Sequence, residues 1–413
     1  MAGIGYRFGL TVGFLTEVEG PLPECDVLVL ATDTRSMSEQ EAVAETHRVV
    51  RELRGRGVQA FFKKTDSALR GHIVAELEAF LQESGCTRAL LMPQNPSKGR
   101  IVKQGVYYIN GRPLQETSFA FDPEFPANSS VVTERLKGVR YLSEFASMND
   151  VPVDICVSES SEEEGVSVNG SFVSESSTPG ATLVGGKSTR DSEDLLPIYV
   201  ADADCEMQMT FQLMRHAKPG VLLAGAADLF TSYLHLIFMG KDSRLSTPEA
   251  RGFGGLSSGR ALIVCGSTQS TSLSLLPYVE RYTIPTEQMP EDVFEGTASP
   301  AEWESVLKRV YSQHHALILT IGRPSKGGKE FALRLRAEMA DATARLVHLS
   351  APDELIIEGG ATAFAILKQL GWTRFEVSDE VSPGVVRMKW LGEQQPVHIT
   401  LKPGSYSWGG LFV

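Results

Sequence analysis

Residues 63–71 read Lys-Lys-Thr-Asp-Ser-Ala-Leu-Arg-Gly. A connecting turn needs almost none of that charge. The stretch follows an apolar run, VQAFFKK (58–64), and leads into an amphipathic one, HIVAELEAFLQESG (72–85). Strand, turn and helix in that order put the charge at the carboxyl end of a strand, where open parallel sheets bind their ligands. The first turn of the helix adds unpaired N–H groups and the positive end of its dipole, which suit an anion. Lys63, Lys64 and Arg70 supply side-chain charge. Asp66 and Ser67 offer hydrogen bonds to hydroxyls, and Asp66 has the chemistry to hold a metal or accept a proton. A phosphate or a polyhydroxy carboxylate fits this set. A solvated loop with incidental ion pairs is the plain alternative, but so dense a cluster at a strand end favours function.

Other turns are weaker one by one. MPQNPSKGR (92–100) follows a strand and carries Lys98, Arg100 and Gly99; an ordinary turn explains it equally well. In the second half, VCGSTQSTS places Ser267 among small polar residues after a strand. EGGATA (358–363) puts two glycines at a helix start, a candidate phosphate nest. LKPGSYSWGG (401–410) offers Lys402 and Gly404. GRPSKGGKE (322–330) lacks the spacing of a Walker A loop. Each reads alone as a plain turn; together they favour a nucleotide.

These turns need a scaffold of strands and helices. CDVLVLATD (25–33) is a near-continuous apolar run, as a buried parallel strand should be. A helix follows, with Ser38 and Glu41 spaced as a capping box and Gly55 or Gly57 at its end. TRALLMPQ (87–94) is the next strand, and Asn110-Gly111 predicts a hairpin turn within GVYYINGRPL. LPIYVADAD (196–204) and GVLLAGAADLF (220–230) resume the pattern. RALIVC, HALILTIG (315–322), ARLVHLS (344–350) and PVHITLK (396–402) are predicted strands of a second unit, and GGATAFAILKQLGW opens a helix after LIIEGG. Alternating strands and helices predict an α/β fold of two domains, each a mostly parallel sheet flanked by helices. The first spans 1–240, with a Ser/Glu/Gly-rich stretch at 158–194 read as a mobile surface insertion. A Gly/Ser-rich linker covers 241–259, and the second domain covers 260–413.

The bulk numbers narrow the function classes. The chain has 413 residues and a formal net charge of -12. A duplex nucleic-acid binder would usually show a basic face, so that class is demoted. Cys25, Cys86, Cys156, Cys205 and Cys265 are scattered and odd in number, as reduced thiols are. The eight histidines form no metal spacing, and no metal ligand is assigned. There is no signal peptide and no apolar run long enough to span a bilayer, so cytoplasm is the default.

The motifs together resemble the four-carbon acid sugar kinases, over essentially the whole chain. KKTDSALRG looks like that family's KKxDSTxRG, with Ala68 where threonine is usual. TDTRS (32–36), the Pro/Gly/Arg run at 93–100, DP..P..S (122–129) and VADAD also match. GSTQSTS, EGGATA, SPGV (382–385) and LKPGSYSWG look like its nucleotide motifs. The resemblance implies a sugar-binding domain followed by a nucleotide-binding one, and transfer of phosphate from ATP, with Mg2+, to a hydroxyl of a small sugar acid. Asp66, Lys64 and Arg70 would be catalytic. Lys63, Lys64 and Arg70 would hold the carboxylate or the moving phosphoryl group, and Asp66 the sugar hydroxyls or magnesium. Arg35, Ser67, Gly71 and Arg100 would join Lys63 around the substrate. Ser267, Gly359, Gly360, Thr362, Gly384, Lys402 and Gly404 would contact the nucleotide. A homodimer is an open option.

Two departures qualify this. The family opens with a strand ending in Asp-Asp-x-Thr-Gly-Ala, whereas MAGIGYRFGLTVGFLTE reads as the tail of the next helix and then the second strand. A late start or a truncated homologue with impaired turnover is expected, with two neighbouring strands left unpaired. Glu358 stands where serine is usual, and a carboxylate near phosphates repels them unless magnesium intervenes. A non-catalytic protein that binds a sugar acid or a nucleotide is therefore the second reading. A nicotinamide enzyme is set aside, because GFGGLSSGR precedes its strand instead of following it.

Overall fold

The computed structural model describes residues 1–122, 124–143, 196–238, 259–266, 276–324, 328–392 and 397–404. The predicted insertion, all of the predicted linker but Gly259, Cys156 and Ser267 lie outside the described residues. In the first part of the chain the strands are β1 (Val12–Leu15), β2 (Val27–Leu30), β3 (Phe62–Lys64), β4 (Arg88–Met92), β5 (Arg100–Lys103), β6 (Val106–Ile109), β7 (Arg112–Pro113), β8 (Arg140–Leu142), β9 (Ile198–Ala201) and β10 (Val221–Gly225). The rest supplies β11 (Ala261–Cys265), β12 (Thr286–Gln288), β13 (Ala316–Thr320), β14 (Glu354–Glu358), β15 (Arg374–Ser382), β16 (Val385–Trp390) and β17 (His398–Lys402).

A five-stranded, wholly parallel sheet runs β3-β10-β4-β9-β8. Its three inner strands, β10, β4 and β9, are mainly apolar because both faces are covered. Along β4, Ala89 and Leu91 pack with Leu77 and Phe80 of the helix Ile73–Ser84. Leu90 and Met92 point the other way, to Met209, Leu213 and Leu229 of the helices Glu206–His216 and Ala227–Phe238. That is the two-residue period of a strand put to use on both faces. The predicted capping box is present: Ser38 Oγ accepts from Glu41 N–H, and Glu41 accepts from Ser38 N–H. The helix it starts ends at Gly55, with Gly57 in the left-handed region (φ +87°) just beyond. The predicted hairpin is also present, joining β6 to β7 with Asn110 and Gly111 both at positive φ.

A second sheet has nine strands in the order β12-β13-β11-β14-β17-β16-β15-β1-β2. From β12 to β17 neighbours are parallel; β17-β16, β16-β15 and β15-β1 are antiparallel. The whole is α/β, with mostly parallel sheets flanked by helices.

Three expectations need correction. Residues 344–350 are not a strand; they finish the helix Lys329–Leu349. The short stretch ARLVHLS continues the helical spacing set upstream by Leu335, Met339 and Ala342, and Leu346 and Val347 are buried on the same side of that helix. The domain boundary expected at 241–259 does not separate the sheets, because β1 and β2 pair into the sheet built by residues after 260. Nor is β2 the fully buried strand its apolar run predicts: all four of its residues are half-buried, since among the described residues it is a sheet edge. Among the described residues β3 is likewise an edge, of the five-stranded sheet.

Phe375 sits at the seam where the two parts of the chain share a sheet. It is fully buried, opposite Phe14 of β1, with the rings edge to face at 6.0 Å. Phe375→Ala is expected to cost about 3–5 kcal/mol of unfolding free energy. Urea unfolding of the variant against the parent chain measures it.

Candidate active site

The charged turn after β3 folds around its own carboxylate. Asp66 Oδ2 accepts from the backbone N–H of Ala68 (3.0 Å) and Arg70 (3.4 Å). The Arg70 guanidinium grips both oxygens, Nε to Oδ2 and Nη2 to Oδ1, each at 3.0 Å. Arg35 reaches Oδ1 at 3.4 Å. Within this turn Leu69 and Gly71 have positive φ, +59° and +94°. Leucine rarely adopts that region, so the turn is locally strained and its hydrogen bonds hold it. A Cβ on Gly71 would meet Arg35 Cγ at 3.4 Å, an ordinary contact, so it is the positive φ that favours glycine there. Burial pushes the Asp66 carboxyl up, but Arg70, Arg35 and the Ala68 N–H outweigh it and bring the group to about 2. Two N–H groups of the turn, those of Ala68 and Arg70, thus face its own carboxylate.

This accounting sorts the cations. Arg70 is also paired with Asp122 (3.2 Å), whose carboxylate in turn accepts from the N–H groups of Glu124 and Phe125. Lys63 pairs with Glu76, a buried carboxylate that also accepts from Thr34 Oγ1 at 3.0 Å. Arg100 donates to Ser67 Oγ, and Tyr107 donates to the Ser67 carbonyl. Lys64 donates to the Thr65 carbonyl. Lys64 and Arg100 therefore have no carboxylate partner among the described residues, and Arg35 shares Asp66 at its longest bond. Burial pushes the Lys64 ammonium below its ordinary value; Asp66 opposes this, and Arg35, Arg100 and Lys63 add to it.

A cavity of about 320 Å³ lies beside Lys64. Thr16, Ala31, Lys64, Gly359 and Lys402 line it from the carboxyl ends of β1, β2, β3, β14 and β17. Gly360 and Gly384 join them, and Phe14, Val29, Phe364 and Met388 are among its apolar walls. Lys64 shows much of its surface, but to this cavity. Gly359 has φ +101° and precedes the helix Gly360–Gln369, so its backbone conformation suits glycine. Thr362 packs on Gly266 so closely that a Cβ there would lie 2.3 Å from its hydroxyl. Lys402 Nζ donates to Glu358 Oε1 at 2.6 Å, both side chains buried, and Glu358 Oε2 has no hydrogen-bond partner among the described residues. Lys402 also reaches the Gly404 carbonyl at 3.5 Å. Gly384, at φ +85°, turns β15 into β16, and its N–H donates to Glu380.

The helix Lys329–Leu349 ties the two sides together. Arg336 donates to Ser36 Oγ (3.2 Å) and faces Asp33 (3.8 Å); Lys329 reaches the Met37 carbonyl (3.4 Å) and Glu124 (3.7 Å). The 33–37 turn that carries Arg35 is thus braced from the far half of the chain. Of the expected residues, Lys64, Gly359, Gly360, Gly384 and Lys402 meet at the cavity. Asp66, Ser67, Arg70, Gly71, Arg35 and Arg100 build the turn beside it, while Lys63 is turned to Glu76. Sequence reasoning missed Glu76, although a carboxylate on the buried stripe Ile73, Glu76, Leu77, Phe80 was a visible sign. It also missed Tyr107, Arg336 and Phe119.

The Asp66 shift has a pH consequence. Its folded pKa is lowered from 3.8 to about 2, so its stabilisation is fully present above pH 3.8 and lost as pH falls through 2. Asp66→Asn is expected to cost about 2 kcal/mol at pH 7. The gap between parent and variant should shrink between pH 4 and 2, as measured by chemical unfolding at each pH.

Two family models match the chain: a sugar-binding N-terminal domain over residues 4–141 and a nucleotide-binding C-terminal domain over residues 262–406. A 3-oxo-tetronate kinase of Methylobacterium radiotolerans is 24% identical over 99% of this chain and 92% of its own length. A D-threonate kinase of Salmonella typhimurium is 25% identical over 89% and 82%. A D-threonate kinase of Bordetella bronchiseptica is 40% identical, over 30% of this chain and 32% of that one. A crystal structure from Salmonella typhimurium, provisionally described as a tRNA synthase, covers all of this chain and 94% of that one at 19% identity and a TM-score of 0.69, a likeness of fold. With both halves matched in order, and with tetronate and threonate kinases similar along most of the chain, this protein belongs to the four-carbon acid sugar kinase family.

Proposed function

We propose that this chain transfers phosphate from ATP to a hydroxyl of a four-carbon sugar acid of the threonate, erythronate or 3-oxo-tetronate type. One observation carries the reading: a single cavity has Lys64, from the charged turn, on one side and Gly359, Gly360 and Lys402 on the other. The names of its relatives supply the substrate class.

The residues present fit a nucleotide. Gly359 and Gly360 open a helix whose first N–H groups suit phosphate. Gly266 leaves no room for a side chain beside Thr362, so backbone can approach closely there. Lys402 brings a buried ammonium, held by Glu358. No group of three or more metal-ligating side chains occurs among the described residues. Magnesium in such sites is commonly held mainly by phosphates. ATP would supply the phosphoryl group, and magnesium would neutralise charge on its phosphates.

On the sugar side, Lys64, Arg100 and Arg35 are the cations with charge to offer, and they receive the carboxylate. Ser67, whose oxygen already accepts from Arg100, has a hydroxyl proton left for the substrate. Asp66 and Arg70 hold the turn in shape and do not bind substrate directly. Lys63 acts through Glu76 and Thr34 on the neighbouring turn. An anion arriving beside Lys64 favours its charged form and reverses the effect of burial. The ammonium then stands where charge builds up during transfer, the positioning and neutralisation that phosphoryl transfer chiefly needs. The apolar walls keep water low and strengthen these charges.

ADP release with Mg-ATP and a panel of D-threonate, D-erythronate and 3-oxo-tetronate tests the reading. Turnover of one of them is expected, and Lys64→Met should lower kcat about 100-fold or more with the fold intact by circular dichroism. Saturable binding of sugar acid or ATP with no turnover would replace the kinase by a non-catalytic binding protein.

A further inference from the structure

Phe119 lies in the short 3-10 turn Ser118–Phe121, and two guanidinium groups of the candidate site converge on its ring. Arg70 Cζ is 5.2 Å from the ring centroid and Arg100 Cζ is 5.5 Å. The two arginines come from different elements, the turn after β3 and the start of β5. Like charges so placed repel. Arg70 answers with Asp66 and Asp122, but among the described residues the side chain of Arg100 has only Ser67 Oγ and the ring. An aromatic face offers negative charge density without a net charge. It can hold Arg100 without cancelling the charge an anion would need, which a carboxylate there would do.

The ring is itself anchored. Thr117 Oγ1 accepts from the Phe119 N–H, and the Phe119 carbonyl accepts from Ala127 N–H at 3.0 Å. Its body packs against the apolar cluster that includes Leu69, Tyr107 and Ala127. The same loop supplies Asp122 to Arg70. Residues 117–122 therefore act on both arginines, through one ring and one carboxylate.

We propose that Phe119 is a positioning residue for anion binding: its ring is a shared cation–π platform that holds Arg70 and Arg100 about one ring and leaves Arg100 charged toward the substrate. The kinetic part of this rests on the kinase reading above; the spectroscopic part does not. Phe119→Leu keeps an apolar side chain and removes the π face, whereas Phe119→Tyr keeps both.

The full chain is used throughout. In Phe119→Leu, KM for the sugar acid is expected to rise roughly five- to thirty-fold, with kcat and KM for ATP changed by less than about twofold. Phe119→Tyr should stay within about twofold of the parent. In ligand-free protein, the Nε–H resonances of Arg70 and Arg100, assigned by loss in Arg70→Lys and Arg100→Lys, should lie ring-shifted in the parent and in Phe119→Tyr. They should return toward ordinary arginine positions in Phe119→Leu. A Phe119→Leu protein with parental KM and unmoved resonances overturns the proposal, and so does Phe119→Tyr behaving like Phe119→Leu. If the parent turns over no sugar acid, the kinase reading fails and the resonances alone decide. If Phe119→Leu does not fold, ordinary arginine positions in both the parent and Phe119→Tyr overturn the platform; ring-shifted positions in both support it.

Discussion

The candidate site depends on a carboxylate that the charged turn keeps for itself. Asp66 collects the Ala68 and Arg70 N–H groups and a two-point grip from the Arg70 guanidinium. Without that internal anion, five cations near one strand end would repel one another, and a turn with Leu69 at positive φ would lose the bonds that hold it. With it, the turn is a preformed object whose remaining charge points outward. Glu76 does the same for Lys63 one layer deeper, and its link to Thr34 carries the order on to the turn bearing Arg35. Two acids thus settle which cations are structural and which are left to meet a ligand.

The second constraint is the route of the nine-stranded sheet. β1 and β2 come from the start of the chain, but β1 pairs with β15, a strand formed hundreds of residues later, and β2 pairs with β1. Their carboxyl ends therefore open on the same cavity as those of β14 and β17, while β3 brings Lys64 from the other sheet. The helix Lys329–Leu349 crosses back with Arg336 and Lys329 to brace the 33–37 turn. Exposed ion pairs of this sort stabilise little. Their importance is geometric, because they relate the turn that carries Arg35 to the half of the chain that carries the glycine nest.

Local patterns were legible where one physical rule acts alone. Ser38 and Glu41 announce a helix start because a hydroxyl and a carboxylate at that spacing satisfy each other's N–H groups. Asn110-Gly111 announces a two-residue turn because both residues tolerate positive φ. Residues 344–350 misled because a seven-residue stretch with four apolar residues suits a strand or the last turns of a long helix, and only the upstream spacing decides. The strand β2 misled for a different reason. An apolar run reveals that a strand is apolar, not whether it has a neighbour on both sides.

By itself the sequence determined the α/β architecture, the kinds of chemistry at each turn and the motifs that carry the family, since these follow from residue type and short-range spacing. Which cations are neutralised was decided only by the tertiary structure, because a pair such as Lys63–Glu76 or Arg70–Asp122 depends on which way each side chain leaves its element. So were the meeting of Lys64 with Gly359 and Lys402, and the convergence of two arginines on Phe119. Those contacts join segments far apart in the chain, and local spacing carries no information about their distance in space.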